Sequence, residues 1–428
     1  MRVLIVGSGG REHAIAWKLK RDNPELELFC APGNGGMSAL AQCVPVSAND
    51  IPALKAFSGA NKIDLAVVGP EEPLVRGIAE EFGGTPVFGP CSKGAMLEGS
   101  KSFAKRFMKT HGIPTAEYEA FSDYEEARAY VRRKGAPLVI KADGLAAGKG
   151  VTVCLTESEA ETALAEALIA RRFAEAGRIV VIEELLRGPE ASVLAFTDGR
   201  SILSMVSAQD HKRANDGDQG PNTGGMGAFS PSPFYTGDIE RQCKERIIYP
   251  TLEGLKREGV VYKGVIYFGL MLTPDGPKVI EYNCRFGDPE TQAVLPRLEN
   301  NLLDVMLACV NGSLDTVRLK WRREAAVCVA MVSGGYPGGY KKCVRIAGLN
   351  NIKENDHLRV FHAGTILKDG ALLTDGGRVL GVTALAESVE QAARAAYGAV
   401  NEISFDGAGF RSDIGLFPNA GVFDLIEE

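Results

Sequence analysis

Three short apolar segments near the amino terminus each run into a loop that contains glycine. Residues 3–6 precede G-S-G-G-R-E-H at 7–13, and the same order recurs in L-F-C-A-P-G-N at 28–34 and D-L-A-V-V-G at 64–69. Apolar residues at helical spacing follow the first loop, so the pattern predicts strand, turn and helix. Because loops at the carboxyl ends of parallel strands line one crevice, we expect an α/β domain whose three loops can jointly hold a sugar phosphate. Ordinary turn chemistry is the alternative explanation of these loops.

The first loop departs from the dinucleotide-binding fingerprint at one position. Glu12 stands where G-x-G-x-x-G requires its last glycine, and no acidic residue closes the second strand. A nicotinamide-dependent oxidoreductase is therefore the less favoured alternative. What remains is a helix N-terminus whose free N–H groups can bind a phosphate.

Size and charge exclude several classes of protein. The net charge of −6 in 428 residues, without a long basic run, argues against nucleic acid as a partner. No apolar run approaches the length of a membrane span and the amino terminus has no leader pattern, so we expect a cytoplasmic protein without a membrane partner. The nine cysteines are scattered without a C-x-x-C pair, which signals neither a disulfide framework nor a zinc site.

Two central segments have the composition of a nucleotide site. The segment P-L-V-I-K-A-D-G-L-A-A-G-K-G-V at 137–151 delivers Lys141 from a strand into a loop with Gly144, Gly148 and Gly150, where backbone amides can approach phosphate oxygens. It is not a Walker A loop, because Lys149 is followed by glycine. A mobile hairpin closing over ATP is the favoured interpretation, and a generic hairpin is the alternative.

The second segment with the composition of a nucleotide site is R-I-V-V-I-E-E-L-L-R-G-P-E-A-S at 178–192. A strand containing Glu183 leads into an apolar crossing piece and then into a turn that presents Glu190. Such a segment can offer backbone groups to an adenine edge and a carboxylate to ribose hydroxyls, although a domain linker has a similar appearance. Upstream, a helix is expected from residue 91 to 105, and it would carry Lys101 and Lys105 on one face.

Residues 204–229 form a polar, glycine-rich stretch that includes A-Q-D-H-K-R and G-P-N-T-G-G-M-G. We expect a long loop there, and a structureless loop of that length within a compact domain is more often functional than not. Asp210, His211, Lys212 and Arg213 lie together in it. The stretch should therefore cover a reacting centre.

The segment V-I-E-Y-N-C-R-F-G-D-P-E-T-Q at 279–292 contains the candidate residues for metal binding and catalysis. Glu281 and Asn283 alternate along an expected strand, so their side chains should project from one face. A carboxylate and an amide are hard oxygen ligands suited to Mg²⁺ that bridges phosphate oxygens, and Arg285 can meet charge that develops on a transferred group. Phosphoryl transfer is the expected chemistry, and an edge strand ending in a polar turn is the alternative.

In this order along the chain, Lys101, Lys141 with its glycine loop, the Glu183–Glu190 segment and the E-x-N-x-R strand resemble the ATP-grasp ligases. A-Q-D-H-K-R, G-P-N-T-G-G-M-G and R-F-G-D-P-E-T-Q are similar, more narrowly, to the phosphoribosylamine–glycine ligase family, and the resemblance covers essentially the whole chain. It implies an α/β fold, α+β in parts, with three regions. These are a Rossmann-like substrate-binding domain at 1–100, an ATP-grasp domain at 101–318 with a lid at about 115–187, and a small mixed domain at 319–428.

The resemblance also implies ligation of glycine to 5-phosphoribosylamine, with ATP as co-substrate and Mg²⁺, or Mn²⁺ in its place, as cofactor. Site residues are then implied by their position in the motifs: Lys101, Lys141, Gly148, Glu183, Leu186 and Glu190 for ATP; Glu281 and Asn283 for the metal; Arg285, Lys212, Arg213 and Asp210 for catalysis; and Gly10, Asn34, Glu71 and Asp288 for the substrate. One departure concerns the strand before the metal strand, where many ATP-grasp members carry an acid and this chain has Gly269. A second tightly held metal ion is therefore in doubt.

Three alternatives stay open at the level of sequence. The chain could be another ATP-grasp carboxylate–amine ligase, a carboxylating relative that uses bicarbonate, or a nucleotide-binding module without catalytic activity. The oligomeric state is not indicated by the sequence.

Overall fold

The computed structural model describes residues 1–146 and 149–416, and they form a mixed α/β protein with several sheets. The strands are β1 Arg2–Gly7, β2 Glu27–Pro32, β3 Gln42–Cys43, β4 Leu65–Val68, β5 Val87–Phe88, β6 Tyr118–Phe121, β7 Leu138–Ala142, β8 Val151–Cys154, β9 Val180–Glu184, β10 Glu190–Thr197, β11 Ile202–Ser204, β12 Gln209–Asp210, β13 Arg213–Asn215, β14 Gln219–Asn222, β15 Gly227–Ser230, β16 Gly264–Thr273, β17 Gly276–Asn283, β18 Ala325–Val332, β19 Leu358–His362, β20 Thr365–Lys368, β21 Ala371–Thr374 and β22 Arg378–Ala386. The α-helices are α1 Gly10–Asp22, α2 Ile51–Ala60, α3 Glu71–Val75, α4 Ile78–Glu81, α5 Ser92–Gly99, α6 Lys101–Thr110, α7 Tyr124–Lys134, α8 Glu157–Leu164, α9 Gly237–Cys243, α10 Tyr249–Arg257, α11 Glu290–Val294, α12 Leu302–Asn311 and α13 Val389–Val400.

The amino-terminal sheet is parallel, as the three strand-and-loop segments predict. Its order is β3-β2-β1-β4-β5, and every pairing in it is parallel. Residues 3–6 of β1 are completely buried. Strands covered on both faces read as continuous apolar runs, which explains the composition of β1 and β4. The carboxyl ends of β1, β2 and β4 therefore present their loops at one edge of the sheet.

A second, antiparallel sheet packs against the first through a shared core. Its order is β11-β10-β16-β17, and β16 and β17 form the hairpin that the sequence predicts. One apolar cluster contains Leu4 of the first sheet together with Phe268 of the second, both completely buried. The first hundred residues and the central sheet are thus joined by continuous packing rather than by a linker.

Residues 118–184 carry a third sheet with a core of its own. The order β6-β9-β7-β8 is antiparallel throughout, and α7 and α8 pack on it. Leu138, Val180 and Ile182 are central members of this separate apolar cluster. A unit whose core is separate from its neighbours can move as a body. These residues correspond to the lid predicted at about 115–187 and are called the lid below, while its closure stays a prediction.

The helix expected at 91–105 is in fact two helices. Ser100 has extended backbone angles, φ −144° and ψ 117°, and separates α5 from α6. Its hydroxyl accepts a hydrogen bond from the N–H of Phe103, at 3.1 Å, so the serine acts as the N-cap of α6. Lys101 and Lys105 lie one turn apart on α6, as expected, but Lys101 begins that helix.

The expectation of a long loop at 204–229 was wrong. β12 and β15 within it join the carboxyl-terminal strands in a sheet of order β12-β15-β18-β22-β19, and β13 and β14 form a hairpin. The glycine content has a packing reason in β15, because a Cβ at Gly227 would lie 2.6 Å from the carbonyl oxygen of Cys328. Within the described ranges, the helices are all too short or too polar to cross a bilayer.

Candidate active site

Two lysines share one buried carboxylate between the lid and the rest of the protein. Lys141 Nζ lies 2.9 Å from Glu183 Oε1, and Lys105 Nζ lies 2.9 Å from Glu183 Oε2. Lys141 also donates to the carbonyl oxygen of Ile280 at 3.0 Å, which ties the lid sheet to β17. Burial lowers the pKa of Lys105 to about 8, although the Glu183 carboxylate opposes the change. Lys101 lies nearby and donates to the carbonyl oxygen of Gly144 at 3.1 Å. Three ammonium groups therefore lie at one edge of the lid, each with a partner in the protein.

A second charged cluster surrounds Lys212. Its Nζ lies 3.1 Å from Glu190 Oε2 and 3.4 Å from Glu281 Oε1, so it connects β10 with β17. The Lys212 ammonium lowers the pKa of Glu281 to about 2, against the effect of burial, and Lys141 and Lys101 add to the lowering. Burial raises the pKa of Asp210 well above its usual range, while Lys212 opposes that rise. Glu281 is thus held ionised in a site where Asp210 is biased toward its neutral form.

Arg285 is held by acidic side chains from the first hundred residues. Its Nη2 lies 2.6 Å from Glu98 Oε1, and its Nε lies 3.3 Å from Glu71 Oε2. The guanidinium also donates to the carbonyl oxygen of Phe286 at 3.2 Å and to Asn283 Oδ1 at 3.3 Å. Burial acts to lower the pKa of Arg285, but the two carboxylates outweigh it and raise the pKa. The guanidinium is charged and fixed in direction.

Glu281 and Asn283 suit a hard divalent cation. They are two residues apart on β17, opposite Gly269 and Tyr267 of β16, so their oxygen atoms share one face. Glu281 is ionised, as a metal ligand must be. No group of three or more histidine, cysteine, aspartate or glutamate side chains within residues 1–146 and 149–416 is arranged to hold a metal by itself. An ion here would need further oxygen atoms, such as those of phosphate groups.

Gly269 leaves no room for the acid that many ATP-grasp members carry on this strand. A Cβ at Gly269 would lie 2.9 Å from Glu281 Cγ. The side chain of Glu281 therefore occupies the space beside β16 that a residue at 269 would need. The number of metal ions at this strand stays a prediction.

Glu12 occupies the crevice at the start of α1. Its Oε2 accepts a hydrogen bond from the N–H of Gly9 at 2.5 Å, and its Oε1 lies 2.6 Å from Arg11 Nε. A Cβ at Gly69 would lie only 1.9 Å from Glu12 Oε1. The carboxylate thus fills the place where a dinucleotide pyrophosphate would approach the first loop. One of the N–H groups that we expected to be free is already bonded.

Two of the predicted substrate residues, Gly10 and Asn34, have no side-chain group that is free to bind a ligand. Gly10 begins α1, and a Cβ there would lie 2.5 Å from Gln292 Nε2. The Asn34 amide is used entirely by the backbone, since it donates to Ser8 and His362 carbonyl oxygens and accepts from the N–H groups of Gly36 and Met37. Asn34 therefore fixes the conformation of its loop.

Asp288 joins the turn after β17 to the carboxyl-terminal sheet. Its Oδ1 accepts from Gln292 Nε2 at 2.8 Å, and its Oδ2 lies 3.3 Å from Arg378 Nη2. Burial acts to raise the pKa of Asp288, but Arg378 and Arg11 outweigh it and lower the pKa. Asp288 is an ionised carboxylate at the junction of three parts of the chain.

The remaining predicted residues are placed less directly. Leu186 follows β9 and is half-buried, in the crossing piece between the lid and β10. Arg213 Nη1 donates to the carbonyl oxygen of Gly220 at 2.8 Å, so its guanidinium is bound within its own hairpin rather than to the Lys212 cluster. Gly148 lies outside the described residues.

Three residues at the site had not been predicted. Lys105 was recognised only as the helical neighbour of Lys101, although that spacing was a usable signal. Glu98 and Arg378 reach their partners from 187 and 90 residues away. No local pattern indicates such contacts, because only the folded chain brings these residues together.

Comparison with known proteins identifies the family of the chain. Family models described as the N, ATP-grasp (A) and C domains of phosphoribosylglycinamide synthetase match residues 1–98, 99–291 and 326–417. The phosphoribosylamine–glycine ligase of Caldanaerobacter subterraneus is 48% identical over 97% of this chain and 99% of its own length. The corresponding Vibrio parahaemolyticus protein is 50% identical over 97% of this chain and 98% of its own length.

Solved structures give the same result at the level of the fold. The crystal structure of phosphoribosylamine–glycine ligase from Thermotoga maritima has a TM-score of 0.86 and 36% identity, covering 97% of this chain and 100% of that one. A biotin carboxylase from Campylobacter jejuni has a TM-score of 0.74 at 16% identity, covering 97% and 94% of the two chains, which shows a shared fold alone. By the match of its sequence and the arrangement of its three domains, this chain belongs to the phosphoribosylamine–glycine ligase family of ATP-grasp enzymes.

Proposed function

We propose that the protein joins glycine to 5-phosphoribosylamine at the expense of ATP, giving glycinamide ribonucleotide, ADP and phosphate in purine biosynthesis. The observation that carries the proposal is the near full-length match to phosphoribosylamine–glycine ligases. The fold also brings the cluster of Lys105, Lys141 and Glu183 beside the strand that contains E-x-N-x-R. A fold match alone would leave the carboxylating alternative open.

The reaction requires activation because a glycine carboxylate is a poor electrophile. A carboxylate oxygen accepts the γ-phosphoryl group of ATP, the bond to ADP breaks, and glycyl phosphate forms. The amine of phosphoribosylamine then attacks the carbonyl carbon, phosphate leaves, and the nitrogen loses a proton. Positioned positive charge around the transferring group is the main contribution that a protein makes to such steps.

ATP would lie between the lid and β17. Lys101 and Lys141 would contact its phosphates, and Lys105 lies within the same group of charges. Glu183 and Leu186 would meet the adenine and Glu190 the ribose, at the place where the chain crosses from β9 to β10. Gly148 would supply a backbone amide to the phosphates.

Glu281 and Asn283 would hold Mg²⁺, and Mn²⁺ could replace it. When bound, such an ion neutralises phosphate charge and fixes the direction of the γ-phosphoryl group. Arg285 would stabilise charge on the acyl phosphate. Asp210, Lys212 and Arg213 would position glycine or phosphate, with Arg213 acting from its own hairpin.

Phosphoribosylamine would bind at the loops of the amino-terminal sheet. Gly10 would allow phosphoribosylamine to approach the backbone at the start of α1 closely. Asn34 would act by fixing the conformation of its loop. Glu71 and Asp288, both charged acceptors, would receive hydroxyl or amine groups of the sugar. The domain limits proposed for these roles are 1–100, 101–318 with a lid at about 115–187, and 319–428. The small-molecule partners and a cytoplasmic location stay predictions.

The test is release of ADP from ATP by the purified protein with Mg²⁺. Turnover should require glycine and freshly prepared phosphoribosylamine together, and it should stop when either is omitted. Alanine, serine and bicarbonate replace glycine in parallel reactions. ADP release with bicarbonate alone would establish the carboxylating alternative, and NAD(P)H binding without ADP release would establish the oxidoreductase.

A further inference from the structure

Glu98 joins the guanidinium of Arg285 to the backbone of the residue before it. One carboxylate oxygen lies 2.6 Å from Arg285 Nη2, and the other accepts a hydrogen bond from the N–H of Cys284 at 2.7 Å. Only 8% of the Glu98 side chain is exposed, and only 15% of the Arg285 side chain. A charge-assisted contact of this length in a shielded place fixes both direction and distance.

Glu71 makes the weaker of the two acidic contacts with Arg285. Its oxygen lies 3.3 Å from Nε, and its side chain is 28% exposed. Of the two carboxylates, Glu71 is thus the one that an arriving anion could displace. Glu98 holds the opposite side of the guanidinium and is also bonded to the backbone, so it would stay in place during such an exchange.

We propose that Glu98 is a positioning residue that aims Arg285 at the group being transferred. The carboxylate does so from α5, an element of the first hundred residues, and thereby connects that region to the turn that follows β17. This inference rests on the proposed function, since its effect is read through turnover. Burial raises the pKa of Glu98 while Arg285 opposes the rise, which agrees with a carboxylate that depends on this partner.

The test compares Glu98→Gln with Glu98→Asp. Glutamine has the size of glutamate, but it has only one acceptor oxygen for the two donors, Arg285 and the N–H of Cys284. Its NH₂ group must therefore face one of these donors. Aspartate keeps the charge but is one methylene shorter. We expect kcat to fall roughly 10- to 100-fold in Glu98→Gln, with the KM for ATP within about twofold, because small errors in position cost that much. Glu98→Asp should retain more activity than Glu98→Gln.

Glu80→Ala is the matched control, because Glu80 lies in α4 and binds the first residue of α5, at the opposite end of that helix from Glu98. Glu80 Oε1 accepts hydrogen bonds from the N–H and hydroxyl of Ser92, both at 2.7 Å, at the start of α5, and it does not contact Arg285. This variant should lower the melting temperature and leave kcat unchanged. If Glu98→Gln lost activity only because α5 was destabilised, Glu80→Ala would lose activity to a similar extent.

A double-mutant cycle separates positioning from stability. In an Arg285→Ala background, Glu98→Gln should cause no further fall in kcat, because the group that it aims is absent. Additive losses would overturn the inference, and so would an unchanged kcat in a folded Glu98→Gln enzyme. A wild-type protein without ADP release would instead overturn the proposed function, so the two failures are distinguishable.

Discussion

Replacing Glu183 by glutamine should destabilise the protein through loss of a single buried charge. The exposed fractions of the Lys105, Lys141 and Glu183 side chains are 2%, 10% and 3%. The change leaves two ammonium groups without their carboxylate, and breaking a buried pair in this way costs about 3–5 kcal/mol. An unfolding entropy near 2.1 cal/mol/K per residue gives about 0.9 kcal/mol/K for 428 residues. The melting temperature should therefore fall by roughly 3–6 °C.

The assay is thermal unfolding followed by calorimetry in the absence of nucleotide. Glu184→Gln is the control, because Glu184 is the next residue and its contact with Lys278, at 3.7 Å, is partly exposed. Such a pair contributes under about 1 kcal/mol, so this variant should melt within roughly 1 °C of the wild type. Adding Lys105→Met to Glu183→Gln should recover part of the loss, since one of two like charges is removed. Equal melting temperatures for the two glutamine variants would refute the reasoning.

Three further outcomes are expected at the reacting centre and the sugar loops. Arg285→Ala should lower kcat by roughly 10²–10³-fold with little change in the ATP dissociation constant, because its partner charge develops late; equal losses in both would contradict this. Gly10→Ala should raise the KM for phosphoribosylamine and leave that for ATP unchanged, since its Cβ would lie 2.5 Å from Gln292 Nε2. The folded-state pKa of Glu281 is about 2, below its ordinary 4.5, mainly because of Lys212. The ionised Glu281 carboxylate therefore stabilises the folded protein fully above pH 4.5, and this stabilisation is lost as the pH falls toward 2. In that interval the free energy of unfolding of Glu281→Gln should fall less steeply with pH than that of the wild type.

Local patterns in the sequence were sufficient for much of the fold. The strand-and-loop segments predicted a parallel sheet, and alternation along 279–283 placed Glu281 and Asn283 on one face of β17. Both features depend on residues close in the chain and on regular backbone geometry. The expected hairpin of β16 and β17 formed for the same reason.

Contacts between distant parts of the chain could not be predicted in this way. The glycine-rich composition of 204–229 suggested a loop, but pairing of β15 with β18 makes those glycines a means of close strand approach. Ser100 divides one expected helix because its hydroxyl caps α6 and also bonds to Asp143 of the lid, at 2.9 Å from Oδ2. A tertiary pairing thus overrode local preference at 204–229, whereas at Ser100 a local helix cap acts together with a contact to Asp143.

The carboxyl-terminal sheet contributes residues to the proposed reacting centre. β12, which ends at Asp210, and β15 both belong to that sheet. Arg378 of β22 donates to the carbonyl oxygens of Gly224 and Gly225 and, at 2.8 Å, to that of Asp288. One side chain therefore joins the two motifs that most resemble the family, G-P-N-T-G-G-M-G and R-F-G-D-P-E-T-Q. Because Asp210 lies in this sheet and Asp288 is bonded to it through Arg378, the geometry of the proposed catalytic and sugar sites should depend on the last hundred residues as well as on the first.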